Sequence, residues 1–498
     1  MTATATRPPA ARQTRPAADT AWEDDLAPAE SPRLVSLYAP APAGSALAFV
    51  RAAAGRERFY WAEPHDGLVL AGAGVAAHLV SPPALPDDAA RLPAQRFVDI
   101  EAQARRLFAD ALIRPLAAPD DDAATAAALA ALARPRLCGG FAFQDDFVPD
   151  NTWSVFNPAE FVLPHYQYAR RGDLACLTLN ALVGPDEDVG AALRGLAEAL
   201  RAFLAASPAA AAPDAPPPAL TALRYPMTAD RWRAAVSDAV AAIGRGALDK
   251  VVLARVCEVW AAGDIDAAAP LAYLDAHYGD SYRFLFAPCP GHAFLGATPE
   301  LLIRKTGAAL ETMALAGSAA RGRTPAEDEA LAADLLSSAK DRQEHQYVVD
   351  AVRAHLAGTT STLDVPAAPV VLRLRNIQHL LTPIAGRLRR ADASVLRLVR
   401  QLHPTPAMGG VPPQRALAFL RDAEPVPRGW YAAPIGWLDA ALDGVFAVGI
   451  RSAVTQGARA WLYAGAGIVG ASDPEREWAE TALKFRPMLG ALGAAERG

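Results

Sequence analysis

Two pairs of carboxylates are the first residues in this sequence whose types and spacing could do chemistry. Asp341 and Glu344 lie three positions apart in one segment of helical pattern, and Glu477 and Glu480 lie three apart in another. Residues at this spacing share one face of a helix. Four carboxylates from two helices could hold a hard cation such as Mg²⁺, which often shares its site with an anionic substrate. A single acidic pair is more often a solvated face, so the neighbouring residues decide between the two interpretations.

Charged residues that stand among apolar ones favour the functional interpretation. Lys484 lies one helical turn beyond Glu480, on the same face. Lys250 opens the apolar run KVVLARVCEVW, Glu300 lies in GATPELLIR and Arg451 lies in VGIRSAV, and none has an obvious partner nearby in the chain. Burial of a charge is costly unless the charge is paired or has a function. The guanidinium of Arg451 in particular is expected to need a carboxylate partner.

A glycine-rich stretch offers a different interpretation. Gly465, Gly467 and Gly470 fit the dinucleotide-binding spacing G-x-G-x-x-G, and a helix is predicted from Asp473 to about Leu489. A dinucleotide site also needs a second parallel strand that ends in an acidic residue. The residues printed after the helix, GALGAAERG, are too few and too small in side chain to form that buried strand. An NAD(P)-dependent dehydrogenase therefore remains only a distant alternative.

Composition and charge exclude several classes of protein. The 498 residues are 52% hydrophobic with a formal net charge of −6, and no block rich in Lys and Arg offers a surface to nucleic acid. No apolar stretch is long enough to span a membrane. Four widely spaced cysteines, with no C-x-x-C pair, indicate a reduced cytoplasmic setting. We therefore expect a globular protein with a large core. Individual lysine or arginine side chains would have to bind any anionic substrate.

The order of patterns along the chain predicts an α+β fold with large antiparallel β-sheets flanked by helices. Residues 1–30 are predicted to be a disordered tail, and the Ala- and Pro-rich residues 205–220 an extended connector. The connector would separate an N-terminal α/β part, 31–204, from a region at 225–490 that holds the candidate residues.

Individual elements can be predicted in the second region. The patterns indicate a helix over 228–243 with Thr228 as its cap and a long helix over 325–358. Runs rich in β-branched and apolar residues predict strands at 250–260, 282–288, 293–305, 442–454 and 458–467.

Several stretches together resemble the chorismate-utilising enzymes, the family of anthranilate synthase component I, and within it the isochorismate synthases. They cover roughly residues 225–490 in the family's order. The matching stretches are KVVLAR (250–255), FLGATPELLIR (294–304), LAGSAARG (315–322), KDRQEHQYVVDAV (340–352), QHLLTP (378–383), LHPTPAMGG (402–410), GIRSA (449–453) and YAGAGIVGASDPEREWAET (463–481). The G-x-G-x-x-G match is then accidental, and the glycines would let the backbone approach a substrate carboxylate.

The resemblance implies an isomerase that interconverts chorismate and isochorismate, in which water enters at C2 of the ring while the C4 hydroxyl leaves. By motif position, Lys250 would be the general base that activates the water, and Glu300 the general acid that protonates the departing hydroxyl. The lysine must then be neutral and the glutamate protonated at neutral pH, and burial in a closed site favours both states.

The resemblance also implies the binding residues. Mg²⁺ would be held by Glu344 and Glu480, with Asp341 and Glu477 as further ligands or behind water. Arg451 and Lys484 would bind the enolpyruvyl carboxylate. His379 would lie beside the site or be an ordinary core histidine, while His345 and His403 are taken as structural. Backbone or small-side-chain contacts to the substrate would come from Gly317, Ser318, Ala407, Met408, Gly465 and Gly467.

The choice within the family depends on few residues. Anthranilate synthases generally carry glutamine where Lys250 stands, and aminodeoxychorismate synthases carry a lysine in PIKGT where this sequence has ALAGS (314–318). No glutaminase subunit is therefore expected as a partner. Salicylate synthases, which go on to eliminate pyruvate, are the main alternative, and a non-catalytic chorismate binder is a further one. The product could serve menaquinone, siderophore or salicylate synthesis, and the sequence does not distinguish these.

Overall fold

The computed structural model describes residues 31–65, 67–83, 94–117, 123–206 and 217–494. The predicted tail at 1–30 and most of the predicted connector, 207–216, lie outside the described residues. No helix in the described part of the chain is long and apolar enough to cross a membrane.

The described residues contain a set of strands and helices whose bounds are as follows. The strands are β1 (Arg33–Pro40), β2 (Arg58–Ala62), β3 (Val69–Ser81), β4 (Leu112–Pro115), β5 (Arg136–Phe141), β6 (Ala159–Arg171), β7 (Leu174–Val183), β8 (Leu220–Arg224), β9 (Lys250–Ala261), β10 (Tyr282–Cys289), β11 (His292–Thr298), β12 (Leu301–Thr306), β13 (Ala309–Ala320), β14 (Thr360–Asp364), β15 (Val370–Arg373), β16 (Ile377–Leu388), β17 (Gly410–Val411), β18 (Pro434–Asp439), β19 (Gly444–Val448), β20 (Ser452–Gln456) and β21 (Arg459–Ile468). The helices are α1 (Ala46–Ala52), α2 (Gln95–Phe108), α3 (Ala123–Ala133), α4 (Val189–Ala205), α5 (Ala229–Gly244), α6 (Ala268–His277), α7 (Pro325–Ser337), α8 (Ala339–Ala357), α9 (Val395–Leu402), α10 (Pro413–Ala423) and α11 (Pro474–Ala491), with one 3-10 turn at Asn151–Trp153.

The strands form one branched sheet system. One branch runs β4–β1–β7–β6–β3–β2–β10–β11–β20–β21–β9–β8, and the other leaves β6 and runs β5–β18–β19–β12–β13–β16. The branch arises because one edge of β6 pairs with β5 over residues 159–162 and with β7 over 166–171. Every described pairing except β1 with β4 is antiparallel. The α+β prediction with large antiparallel sheets and flanking helices is confirmed.

Strands from both sides of the predicted connector pair with each other. β2 pairs with β10, and β5 pairs with β18. The N-terminal part is thus joined by backbone hydrogen bonds to the part that carries the candidate residues, and the predicted domain boundaries stay a prediction.

Both faces of the inner strands of the long branch are covered, which explains why those strands are continuously apolar. Phe284 and Phe286 of β10 belong to one apolar core, and Leu285 between them belongs to another. Successive strand side chains point to opposite faces, so each face of the sheet has its own core. A strand buried on both sides needs no polar alternation.

Three predicted elements are each divided in two. The predicted strand 293–305 breaks at Glu300 into β11 and β12, and the predicted strand 442–454 breaks at 449–451 into β19 and β20. The predicted helix 325–358 breaks at Ser338, whose side chain accepts a hydrogen bond from the Asp341 N–H and so caps α8. The helix predicted over 228–243 is confirmed as α5, with Thr228 as its cap.

Candidate active site

The breaks at Glu300 and at 449–451 lie next to each other. At both breaks the chain leaves one branch of the sheet and enters the other. β11 pairs with β20 in one branch, and β12 pairs with β19 in the other. At the crossing, the Val448 N–H donates to the Glu300 carbonyl at 3.0 Å, and the Ala297 N–H donates to the Arg451 carbonyl at 3.1 Å. Arg451 has a φ of 51°, a conformation that few non-glycine residues adopt. Backbone hydrogen bonds between the two breaks therefore hold Glu300 and Arg451, which lie outside regular strands.

One cleft gathers most of the candidate residues. Its empty space, including the part open to solvent, is ≈ 590 Å³, which is within the usual range for small-molecule sites. The candidate residues that line it are Glu300, Gly317, Ser318, Glu344, His379, Ala407, Met408, Arg451, Gly465, Gly467, Glu480 and Lys484. The lining residues that the sequence did not single out are Val252, Leu315, Ala316, Tyr431, Ile450, Tyr463 and Ala464.

Glu300 is a buried carboxyl with its acid form favoured. Its side chain is 3% exposed. Burial raises its pKa to about 7, against the opposing effect of Lys250, Arg451 and Lys484. Desolvation disfavours the ionised form of a carboxyl. Glu300 can therefore hold a proton near neutral pH and release it to a bound molecule.

Lys250 lies behind the wall of the cleft and contacts a carboxylate on its lining. Its side chain is fully buried, and its Nζ lies 3.0 Å from Oε1 of Glu344 on α8. The contact is close enough for an ion pair, yet the Nζ hydrogens have no well-directed acceptor among the described residues. The partner that was not visible near Lys250 in the chain is thus supplied by α8. Nζ thus lies beside a residue of the cleft lining and has hydrogen-bonding capacity to spare.

Arg451 has a histidine, rather than the expected carboxylate, as its hydrogen-bonding neighbour in the described structure. Its Nη2 lies 3.1 Å from His379 Nε2. A guanidinium can only donate, so Nε2 must accept, and the neutral ring carries its proton on Nδ1. Burial and then the charge of Arg451 hold the pKa of His379 well below its usual range, which agrees with a neutral ring. Burial lowers the pKa of Arg451, and the nearby Tyr431, Glu480 and Glu300 oppose that effect, so carboxylates act on the guanidinium through space while the hydrogen bond goes to His379.

The tautomer of His379 determines what Ser318 can do. His379 Nδ1 lies 2.9 Å from Ser318 Oγ and 3.2 Å from the Gly317 carbonyl. Since Nδ1 carries the proton, the serine oxygen accepts and its own hydrogen is left to donate. The cleft therefore presents a serine hydroxyl as a donor beside a guanidinium, a combination suited to an anion.

Helix α11 brings a second cation and two acidic residues to the site. Lys484 Nζ donates to Glu480 Oε1 at 2.6 Å and to the Gly465 carbonyl at 2.8 Å. Burial would raise the pKa of Glu480, but Lys484 and other cations outweigh it and lower the pKa. The Glu477 carboxylate accepts from Lys340 Nζ at 2.6 Å. Burial and then Glu480 raise the pKa of Glu477.

Asp341 and Glu477, with Lys250, are the candidate residues that do not line the cleft. Asp341 accepts from the hydroxyl of Ser338 and packs behind Gly317, where a Cβ would lie 3.1 Å from the Asp341 Cβ. Burial raises the pKa of Asp341, and Glu344 adds to the rise. His345 and His403 hydrogen-bond to Thr382 Oγ1 at 2.7 Å and to the Phe143 carbonyl at 3.0 Å, as expected for structural histidines.

Comparison with known proteins assigns the chain to a family. A model of the family described as chorismate binding enzyme matches residues 21–493. The chain belongs to the chorismate-binding enzyme family. It is 41% identical over 404 residues to the salicylate biosynthesis isochorismate synthase of Pseudomonas aeruginosa, covering 80% of each chain. It is 37% identical over 365 residues to the isochorismate synthase MenF of Bacillus subtilis, covering 73% of this chain and 76% of that one.

Solved structures agree with this membership. The menaquinone-specific isochorismate synthase MenF from Escherichia coli superposes with a TM-score of 0.73 at 28% identity, over 93% of this chain and 95% of that chain. Anthranilate synthase component I from Streptococcus pneumoniae superposes with a TM-score of 0.60 at 22% identity, over 72% of this chain and 81% of that chain. The second likeness shows the shared fold alone.

The oxygen donors of the cleft fit a hard divalent cation. Glu344 and Glu480 come from different helices and both line the cleft. Each carboxylate is matched by one lysine, Lys250 or Lys484, within 3.0 Å. Among the described residues no group of three or more His, Cys, Asp or Glu side chains is preassembled for a metal. Mg²⁺ is usually held by one or two carboxylates with waters and substrate oxygens, and these residues fit that mode.

Two tyrosines form a part of the lining that the sequence did not reveal. The rings of Tyr431 and Tyr463 stack with centroids 5.0 Å apart and planes at 21°. The hydroxyl of Tyr463 accepts from Trp153 Nε1 at 3.1 Å. In the sequence both lie in apolar runs and look like core residues. Only the fold shows that their stack borders the cleft.

We expect Gly467→Ala to destabilise the protein. A Cβ at this position would overlap Glu344 Oε1 and lie 3.2 Å from Lys250 Cε. The Glu344 carboxylate would have to move away from Lys250, and leaving a buried polar group without its partner typically costs about 1–3 kcal/mol, which urea unfolding measures. Gly470→Ala is the matched control, since its nearest neighbour would be Ile243 Cγ2 at 3.6 Å and its effect should stay within about 0.5 kcal/mol. Equal stability of Gly467→Ala and the wild type would contradict the packing described here.

Proposed function

We propose that this chain is an isochorismate synthase, an isomerase that adds water at C2 of chorismate with loss of the C4 hydroxyl. The observation that carries the proposal is a buried acid on the lining of a cleft that also carries cations, with a fully buried lysine in contact with the cleft wall. Glu300, with its pKa raised to about 7, lines the cleft, and fully buried Lys250 contacts its Glu344 wall at 3.0 Å. The relatives named as isochorismate synthases support the same activity.

Substrate binding follows from the charge of the cleft. Chorismate carries two carboxylates, and the lining includes the guanidinium of Arg451 and the ammonium of Lys484. We assign these cations to the enolpyruvyl carboxylate, with the Ser318 hydroxyl as a neighbouring donor. Charge-assisted hydrogen bonds from buried cations are the strong ones. Gly465 and Gly467 line the same cleft, and the missing side chain at Gly467 leaves room for the Glu344 carboxylate beside Lys250.

The acid step belongs to Glu300. A hydroxyl leaves poorly unless it is protonated, so the Glu300 proton passes to the C4 oxygen and that oxygen departs as water. The cations Arg451 and Lys484 lie near the carboxyl. They stabilise the carboxylate that forms as the proton leaves.

The base step belongs to Lys250. A neutral amine at Nζ takes one proton from the attacking water, whose oxygen bonds to C2. One water enters and one leaves, so atoms balance and no oxidant is needed. Nζ has no directed hydrogen bond among the described residues, which suits a group that must orient water. The carboxylate of Glu344 at 3.0 Å holds the side chain in place between turnovers.

Mg²⁺ would be held by Glu344 and Glu480, with Asp341 and Glu477 behind them, and would neutralise and orient the ring carboxylate. We expect an excess of chelator to abolish turnover, and Glu344→Ala or Glu480→Ala to lose activity without unfolding. Rates with and without added Mg²⁺ and the circular dichroism of each variant are the measurements. Asp350→Ala, on the exposed side of the same helix α8, is the control. Full turnover in chelator would overturn the metal assignment.

Product analysis tests the proposed reaction against the alternatives. The purified chain is incubated with chorismate and Mg²⁺, with and without ammonium salts, and the products are separated by chromatography. The proposal predicts isochorismate in both, and no glutaminase partner is required. Salicylate with pyruvate as the main product would make the chain a salicylate synthase, and an amino product would exclude water as the nucleophile.

The cellular setting is part of the proposal. All four cysteines of the sequence are unpaired in the structure. Free thiols of this kind are typical of reducing compartments. We therefore place the enzyme in the cytoplasm, acting on a small molecule without nucleic acid or membrane partners.

A further inference from the structure

Arg255 is a buried cation outside the cleft whose surroundings are almost entirely aromatic. It lies in β9, five residues after Lys250, and is 3% exposed. Its guanidinium carbon lies 3.5 Å from the ring centroid of Trp478 and 5.0 Å from that of Phe485. Tyr225 and Trp232 complete the enclosure at 5.2 and 6.0 Å. Cation–π contacts of this kind are strongest when desolvated.

The hydrogen bonds of Arg255 reach one helix. Its Nε donates to Thr481 Oγ1 at 2.7 Å, and its Nη2 donates to the Trp478 carbonyl at 3.2 Å. Both acceptors belong to α11. The remaining nitrogen, Nη1, is buried without a hydrogen-bond partner among the described residues. A buried cation with an unmet donor is costly, so a purely stabilising role does not explain why arginine stands here.

The residues that Arg255 contacts are interleaved with those that face the site. Trp478, Thr481 and Phe485 each follow directly after a charged residue of the site: Glu477, Glu480 and Lys484. Adjacent helical positions are about 100° apart around the axis. A group that holds the first set therefore fixes the rotation of α11 and, with it, the direction of all three charged side chains.

We propose that Arg255 is a positioning residue that sets the rotation of α11 on β9 and thereby holds Glu480 and Lys484 in register with the cleft. β9 begins with Lys250 and pairs with β21, in which Ala464 lies opposite Arg255. Lys484 bonds the next carbonyl, that of Gly465, at 2.8 Å. Arg255 thus lies where β9, which begins with Lys250, and β21, which carries Gly465, pack against α11. This inference rests on the proposed function, because it assigns the helix to a metal and substrate site.

Helix α11 has other anchors, so the loss of Arg255 should not unfold it. Trp232 Nε1 donates to the Pro474 carbonyl at 3.1 Å, and Arg233 pairs with Glu475. These contacts hold the first turn of the helix, and Phe485 and Met488 bury its later turns in the core. The expected defect is a misdirected helix on an intact fold.

The test is direct Mg²⁺ binding by calorimetry, with the Mg²⁺ dependence of turnover as a second readout. Groups that orient metal ligands typically change metal affinity about 10- to 100-fold, so Arg255→Met should weaken the Mg²⁺ Kd by about that range. Arg255→Lys keeps a cation over Trp478 and should fall between Arg255→Met and the wild type. The matched control is Arg459→Met, whose guanidinium lies 4.6 Å from the Trp461 ring on the exposed end of β21 and whose loss should leave Kd unchanged.

The outcomes separate this inference from the proposed function. A lower melting temperature with an unchanged Mg²⁺ Kd in Arg255→Met would overturn the positioning role. Where Arg255→Met does not fold, Thr481→Val removes the Nε acceptor at nearly constant volume; it should weaken Mg²⁺ binding several-fold, and an unchanged Kd would overturn the role equally. A wild-type chain that binds Mg²⁺ yet makes no isochorismate would contradict the proposed function and leave the inference about Arg255 intact. A wild-type chain that binds no Mg²⁺ would sink this inference.

Discussion

Lys250→Ala should lower chorismate turnover by about 100- to 10,000-fold, the range that a general base contributes. The substitution removes the only group assigned to take the proton from water, while Arg451 and Lys484 still bind the carboxylates. Chorismate binding should therefore weaken far less than kcat falls. Steady-state kinetics, with equilibrium binding measured separately, checks both parts. Turnover above about a tenth of the wild-type value would exclude the base assignment.

Two variants separate a base from a merely buried charge. Lys250→Arg keeps a cation beside Glu344, but a guanidinium does not give up its proton, so it should remain as inactive as Lys250→Ala. Lys305→Ala is the matched control, because Lys305 is 1% exposed and paired with Asp443 away from the cleft. It should lower stability and leave the turnover of the folded enzyme unchanged. Activity in Lys250→Arg would show that charge alone suffices.

Glu300→Gln should lower turnover by a similar 100- to 10,000-fold and change the shape of the pH profile. The pKa of Glu300 is raised from 4.5 to about 7 by burial. The protonated form is the acid, so it predominates below about pH 7 and is lost as the pH rises through that value. Wild-type kcat/KM should therefore fall above about pH 7, and the residual activity of Glu300→Gln should lack that fall.

The double variant of Lys250→Ala and Glu300→Gln tests whether the two residues act together. Because Lys250 and Glu300 act on one transition state, the double variant should lose less than the product of the two single losses. Strictly multiplicative losses would indicate that the two residues act in separate steps. If kcat/KM of Glu300→Gln still decreases at alkaline pH, a group other than Glu300 causes that decrease.

Much of the fold and of the candidate site could be predicted because the information is local. The cap of α5 at Thr228 and the strand that begins at Lys250 follow from propensity and periodicity. The resemblance to the family predicted the residues around the cleft, because the matching stretches can be identified in sequence without knowledge of side-chain contacts. Family membership and the antiparallel α+β architecture are confirmed, whereas the roles of individual residues stay proposals.

The remainder depends on contacts between distant parts of the chain. The breaks at Glu300 and Arg451 arise where two strands cross between branches of the sheet, and no local pattern signals a crossing. Glu344 as the neighbour of Lys250 and His379 as the neighbour of Arg451 come from other elements. Burial on both faces makes such strands look uniformly apolar, so cleft and core residues are alike in sequence.

The most direct test of the account is the fate of oxygen during turnover. The purified enzyme is incubated with chorismate and Mg²⁺ in water enriched in ¹⁸O, and the isochorismate is analysed by mass spectrometry after a short conversion. Since Lys250 activates a solvent water for C2 and Glu300 releases the C4 oxygen as water, the product should carry one ¹⁸O, in its C2 hydroxyl. Isochorismate that contains no ¹⁸O would mean that the hydroxyl migrates within the substrate and would contradict the account.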